Sequence, residues 1–157
     1  MIRELSFLKS NEFSGPFRPT RGHDNDITLC DDDLKDISTG PGVYIILSED
    51  KTKFVYPNGM NSIIYIGQAK NLRRRLREHL RHLNDLIDHE TYYLREHIER
   101  CPRYQYMRFH GARVITFNCL KRTQTAKELE SIILLKFYEK YRSIPVGNGA
   151  RSFSLDR

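Results

Sequence analysis

Two short apolar runs constrain this chain most: Val43-Tyr44-Ile45-Ile46-Leu47 and Ile63-Ile64-Tyr65-Ile66. Both are rich in β-branched and aromatic residues and too short for a buried helix, so each predicts a strand. Gly40-Pro41-Gly42 turns the chain into the first strand, residues 43–47. Pro57-Asn58-Gly59 marks a turn in the polar stretch before the second, residues 62–66. An antiparallel pair is expected. The second run passes directly into a segment with Leu72, Leu76 and Leu80, whose spacing predicts a helix over residues 69–81.

The remaining chain supplies what must cover this pair. Residues 84–101 read as a second helix ending before Pro102. Residues 104–120 read as one or two strands, with 113–119 the clearest, and residues 126–141 as a last helix. The order predicts an α+β fold, a small central antiparallel β-sheet of about three strands flanked by helices. Residues 1–38 are expected to form an irregular N-terminal extension, with one helical turn capped by Asp31. The domain proper is expected over 39–150, with an inserted helix near 83–101, and 151–157 as a C-terminal tail.

At 157 residues the chain can bury one core. Its 26 Lys and Arg against 20 Asp and Glu leave a net charge of +6, which suits a polyanionic partner. Cys30, Cys101 and Cys119 form no CxxC pair, so no disulfide framework or structural zinc site is indicated. The chain lacks a signal-peptide core and any run of membrane-spanning length, so no membrane partner and a cytoplasmic location are expected.

The arginines of the 69–81 helix are not equivalent. Stepping about 100° per residue from Leu72 puts Leu76 and Leu80 on one stripe, and Arg73, Arg74, Arg77 and Arg81 on the outward flank. Arg75 and His79 stack one turn apart along the other margin of the stripe. Lys70, Arg73, Arg74 and Arg77 are therefore candidates for nucleic-acid backbone contact, and Arg75 and His79 for chemistry. His79-x-x-His82 lacks the further ligands a metal site needs.

In the last helix Glu130 falls within the apolar arc made by Ile133, Leu134, Phe137, Tyr138 and Tyr141. A carboxylate so placed needs a proton, an ion pair or a bound cation. An ion pair with Arg75 and ligation of a hard divalent ion both answer that need.

Gly42-Val43-Tyr44, Tyr65-Ile66-Gly67, Arg75 ten positions after Tyr65, His79, Glu130 and Asn148 together resemble the GIY-YIG nuclease superfamily. That superfamily includes the nuclease domain of a bacterial excision-repair subunit and homing and restriction endonucleases. The resemblance covers about residues 40–150. It implies a GIY-YIG-like fold and a divalent-metal-dependent endonuclease hydrolysing DNA phosphodiester bonds, RNA not being ruled out as substrate.

The resemblance also implies Tyr44, Tyr65, Arg75, His79, Glu130 and Asn148 as catalytic residues, with Glu130 binding one Mg2+ or Mn2+ ion per site. The choice of general base between the two tyrosines stays open. One site cuts one strand, so double-strand cleavage implies a homodimer or a partner subunit. By size, a restriction or defence role fits slightly better than a repair role. The rival readings are a non-catalytic nucleic-acid-binding module on the same fold and an interaction domain.

Overall fold

The structure, a computed structural model, describes residues 3–8, 26–88, 101–119 and 125–149. Among these residues a four-stranded antiparallel sheet carries the fold. Its strands are β1 (Asp26–Thr28), β2 (Gly42–Leu47), β5 (Ile63–Ala69) and β6 (Arg113–Asn118), in the order β1-β6-β2-β5. A separate hairpin pairs β3 (Phe54–Tyr56) with β4 (Gly59–Asn61). The helices are α1 (Leu72–Asp88), α2 (Pro102–His110) and α3 (Ala126–Tyr141). The α+β architecture is as the sequence predicts. None of the described helices is long and apolar enough to cross a membrane.

Three expectations need correction. The sheet has a fourth strand, because Asp26–Thr28 of the expected irregular extension pairs with β6. Three residues are too few to display an alternating pattern. Residues 104–110 are helix rather than strand. Their aromatic alternation imitates a strand, but Pro102 at the first helical position starts a helix, and Tyr104 and Met107 bury one face of it. At the turn over Asp33–Asp36 the N-cap position falls on Asp32 rather than Asp31, its side chain makes no capping bond, and it salt-bridges Lys35 at 2.7 Å. Of the expected inserted helix near 83–101, residues 83–88 belong to α1 and 89–100 lie outside the described residues, as does the tail at 151–157.

Central strand β2 is buried along its whole length, and alternation divides its side chains between two cores. Val43, Ile45 and Leu47 pack with Leu129, Ile133, Leu134, Phe137 and Tyr141 of α3. Tyr44 and Ile46 face Leu72, Leu76 and Leu83 of α1 and Tyr104 and Met107 of α2. Helix α1 starts three residues later than predicted, because Ala69 still pairs with Gly42 in the sheet. Its first free N–H groups are then satisfied in turn. Leu72 donates to the Gly40 carbonyl (3.1 Å), Arg73 to Ser38 (3.1 Å) and Arg74 to the Asn71 side chain (2.9 Å). Thr125 and Glu128 cap α3 reciprocally.

Edge strand β5 carries a bulge. Ile46 pairs with Tyr65 and Leu47 with Ile63, so Ile64 is the extra residue. The loop after α3 closes this edge. Gly147 donates its N–H to the Ile64 carbonyl at 2.7 Å. The Asn148 amide accepts from Ile66 N–H at 2.9 Å and donates to the Ile66 carbonyl at 2.8 Å. Replacing Asn148 with Ala strands two buried backbone groups, at a cost of about 2–4 kcal/mol. Urea unfolding of Asn148→Ala is expected to show a lower midpoint with an unchanged slope.

Candidate functional site

His79 occupies the middle of the buried stripe of α1, flanked by Leu72, Leu76 and Leu83, while Leu80 sits at the margin. A fully buried imidazole must have both ring nitrogens satisfied. Tyr44 Oη lies 2.8 Å from His79 Nε2, and Tyr104 Oη lies 2.9 Å from Nδ1. Burial pushes the His79 pKa well below its ordinary value, and the positive charges of Arg75 and Arg103 push the same way. The ring is therefore neutral, with a single N–H, so one tyrosine hydroxyl donates to it and the other accepts from it. Arg75 Nε donates to Tyr44 Oη at 3.4 Å. That bond favours the order Arg75 to Tyr44 to His79 to Tyr104, each group donating to the next.

The two motif tyrosines differ in exposure. Tyr44 is 1 % exposed, and burial raises its pKa above the ordinary phenol range. The Tyr65 charge adds to that rise and Arg75 opposes it. Tyr65 is only partly buried, its ring 6.0 Å from that of Tyr44 and 6.1 Å from that of His79. Gly67 makes their juxtaposition possible. A Cβ there would stand 2.5 Å from Tyr65 Cε1 and 2.6 Å from Tyr44 Oη, so any side chain at 67 would displace one ring or both.

Arg75 salt-bridges Glu78 at 3.0 Å. The Arg75–Glu130 ion pair considered for the buried carboxylate is absent. Among the described residues Glu130 makes no hydrogen bond or ion pair. Burial pushes its pKa up to about 7, with Lys127 offsetting part of the rise. Glu130 follows Leu129 on α3, and that helix packs on the face of β2 opposite the one that carries Tyr44.

The other candidates divide. Arg74 and Arg77 are exposed on the outward flank, and Lys70 is exposed at the end of the strand. Arg73 is committed inward, donating from Nε to the Ile37 carbonyl at 2.8 Å. Among the described residues no three His, Cys, Asp or Glu side chains cluster to hold a metal.

Two neighbours went unrecognised in the sequence: Tyr104, partner of His79, and Arg103. The Arg103 guanidinium lies 4.8 Å from the Tyr65 ring centre and 5.2 Å from that of Tyr104. Reading residues 104–110 as strand hid both. Pro102 was the available signal for a helix that presents them.

Two titrations test this electrostatic picture. The folded state refuses a proton that the unfolded chain accepts near pH 6.5, so His79 supports the fold above that pH and loses this contribution as pH falls below it. NMR titration is expected to find the His79 ring still neutral well below pH 6.5, and a resonance titrating near 6.5 would contradict the burial argument. Glu130 has the opposite sign. Its contribution is present below the ordinary carboxyl value of 4.5 and is lost as pH rises through about 7. In chelator, Glu130→Gln should melt above wild type at pH 8 and with it near pH 4.5.

Comparison with protein families finds a match to the GIY-YIG catalytic domain over residues 40–142. No curated protein and no solved structure matches. The matched stretch contains Tyr44, Tyr65, Arg75, His79 and Glu130 in the expected order and ends six residues before Asn148. It covers well over half of the chain, and the protein therefore belongs to the GIY-YIG family, a family of nuclease type.

Proposed function

We propose that the protein is an endonuclease that hydrolyses DNA phosphodiester bonds with one divalent cation, Mg2+ or Mn2+. The observation that carries this reading is the hydrogen-bonded set Arg75, Tyr44 and His79 beside the more accessible Tyr65. A solvated helix face has no need of a neutral buried histidine gripped by two tyrosines.

Glu130 is the residue that would hold the cation. It is a half-buried carboxylate without a cationic partner among the described residues, and oxygen donors suit hard divalent ions. With one protein carboxylate, the remaining coordination positions would fall to water and to substrate phosphate. A bound cation at this place would neutralise charge on the phosphate and the departing oxygen.

The chain's own groups take the other roles. Tyr44 is a poor base, because its hydroxyl is buried and already engaged by His79 and Arg75. Tyr65 is then the tyrosine that orients the attacking water and takes its proton. Arg75 uses two of its five N–H groups on Tyr44 and Glu78, leaving three for the oxygens of the pentacovalent phosphate. His79 fixes the direction of the Tyr44 hydroxyl. Asn148 acts through β5, holding Ile66 between Tyr65 and Gly67. Arg77 and Lys70 are exposed to meet neighbouring phosphates, Arg74 would do so from its 3.9 Å ion pair with Glu78, and Arg73 serves the fold. Cutting both strands of a duplex would require two copies or a partner subunit.

Plasmid nicking tests the proposal. Wild type is expected to nick supercoiled DNA with Mg2+ or Mn2+ and to stop on adding chelator. Glu130→Ala and Arg75→Ala should keep the wild-type circular dichroism spectrum and lose at least about 10²-fold in rate. Salt-dependent DNA binding without cleavage under any metal would favour a non-catalytic binding module.

A further inference from the structure

Arg103 lies outside the motif residues and enters the site from α2. Its guanidinium rests against the rings of Tyr65 and Tyr104, 4.8 and 5.2 Å from their centres. Stacking of this kind orients the planar group while leaving its N–H edge available. That edge is poorly satisfied within the protein. Nε is buried without a hydrogen-bond partner, Nη2 reaches the soft Cys101 sulfur at 3.6 Å, and the Tyr104 hydroxyl is the other side-chain group that the guanidinium engages.

The charge balance points the same way. Arg75 and Arg103 both act on Tyr44, His79 and Tyr104. Glu78 is the carboxylate that offsets Arg75, and no described carboxylate is paired with Arg103. Two guanidinium groups thus converge on one tyrosine–histidine cluster, and the carboxylate that pairs with one of them, Glu78, is shared with Arg74. Such a centre is completed by an anion, and the remaining Nη donors of a planar guanidinium match the oxygens of a phosphodiester.

The start of α2 is also held in register with the catalytic strand. Gly147 bonds the Ile64 carbonyl, and a Cβ at Gly147 would stand 2.8 Å from the Arg103 Cβ and 2.7 Å from the Ile64 oxygen. The loop that closes β5 therefore brings Arg103 close to the strand that carries Tyr65.

We infer that Arg103 is a second phosphate-binding residue of the site, gripping the substrate backbone beside Arg75 with its guanidinium steered by the Tyr65 ring. This inference rests on the nuclease reading and adds a residue to its substrate contacts.

The test uses the full chain with Arg103→Gln, which keeps a planar head group without charge, and Arg103→Lys, which keeps charge without the fork. Binding of a fluorescent duplex is measured in chelator as a function of salt, and cleavage kinetics with Mg2+. Arg103→Gln is expected to lower the slope of log affinity against log salt by about one and to raise KM by about tenfold. Arg103→Lys should recover the slope but not the KM. A constant loss of folded protein lowers affinity without altering that slope, so a destabilised variant still gives a reading. Wild-type slope and KM in Arg103→Gln, with wild type cleaving normally, would overturn the inference and leave the nuclease reading intact. Absence of metal-dependent cleavage by wild type would instead remove the nuclease reading and the inference together.

Discussion

The fold and the site meet at one buried imidazole. His79 occupies a position on α1 that packing alone would give to a leucine, and it is tolerable there because both of its nitrogens face tyrosine hydroxyls. Those tyrosines come from different places, Tyr44 from the central strand and Tyr104 from a helix more than twenty residues beyond His79. The histidine therefore ties α1, α2 and the sheet together with the same bonds that orient the Tyr44 hydroxyl. Removing it would leave two buried hydroxyls seeking partners, so stability and site geometry are bound to one side chain.

Around that centre, close approach is secured by the absence of side chains. Gly67 lets two aromatic rings share a floor, and Gly147 lets the last loop lie against the start of α2. The protein uses a polar pin beside each gap. Asn148 fixes Ile66, and Arg75 fixes Tyr44. The result is a cluster whose rings are held from several sides, which is what the proposed positioning of a water against a phosphate would require.

Much of this was legible in the sequence where one segment carried the information. The two strands, the last helix at residues 126–141 and the separation of Arg75 and His79 from the outward arginines all follow from local periodicity. The anomaly of Glu130 was legible too, as a carboxylate within an apolar arc, though its lack of an ion pair among the described residues was not. What escaped depends on distant partners. β1 is a strand only because β6 offers it an edge, and α2 is a helix despite an alternating pattern because Pro102 and the burial of Tyr104 and Met107 outweigh that pattern. Arg103 and Tyr104 became visible as site residues only once that helix was folded against Tyr65 and His79.

The closure of β5 has a consequence for assembly. A strand at the border of a sheet ordinarily offers its backbone to a neighbour, and many protein pairs join by continuing the sheet from one molecule into the next. Here the Asn148 amide already stands where an incoming strand would bond to Ile66. Two copies brought together to cut both strands of a duplex could not zip their sheets along this border. Contact on this side would have to run through side-chain surfaces, so that shape rather than backbone register would set the spacing of two such copies.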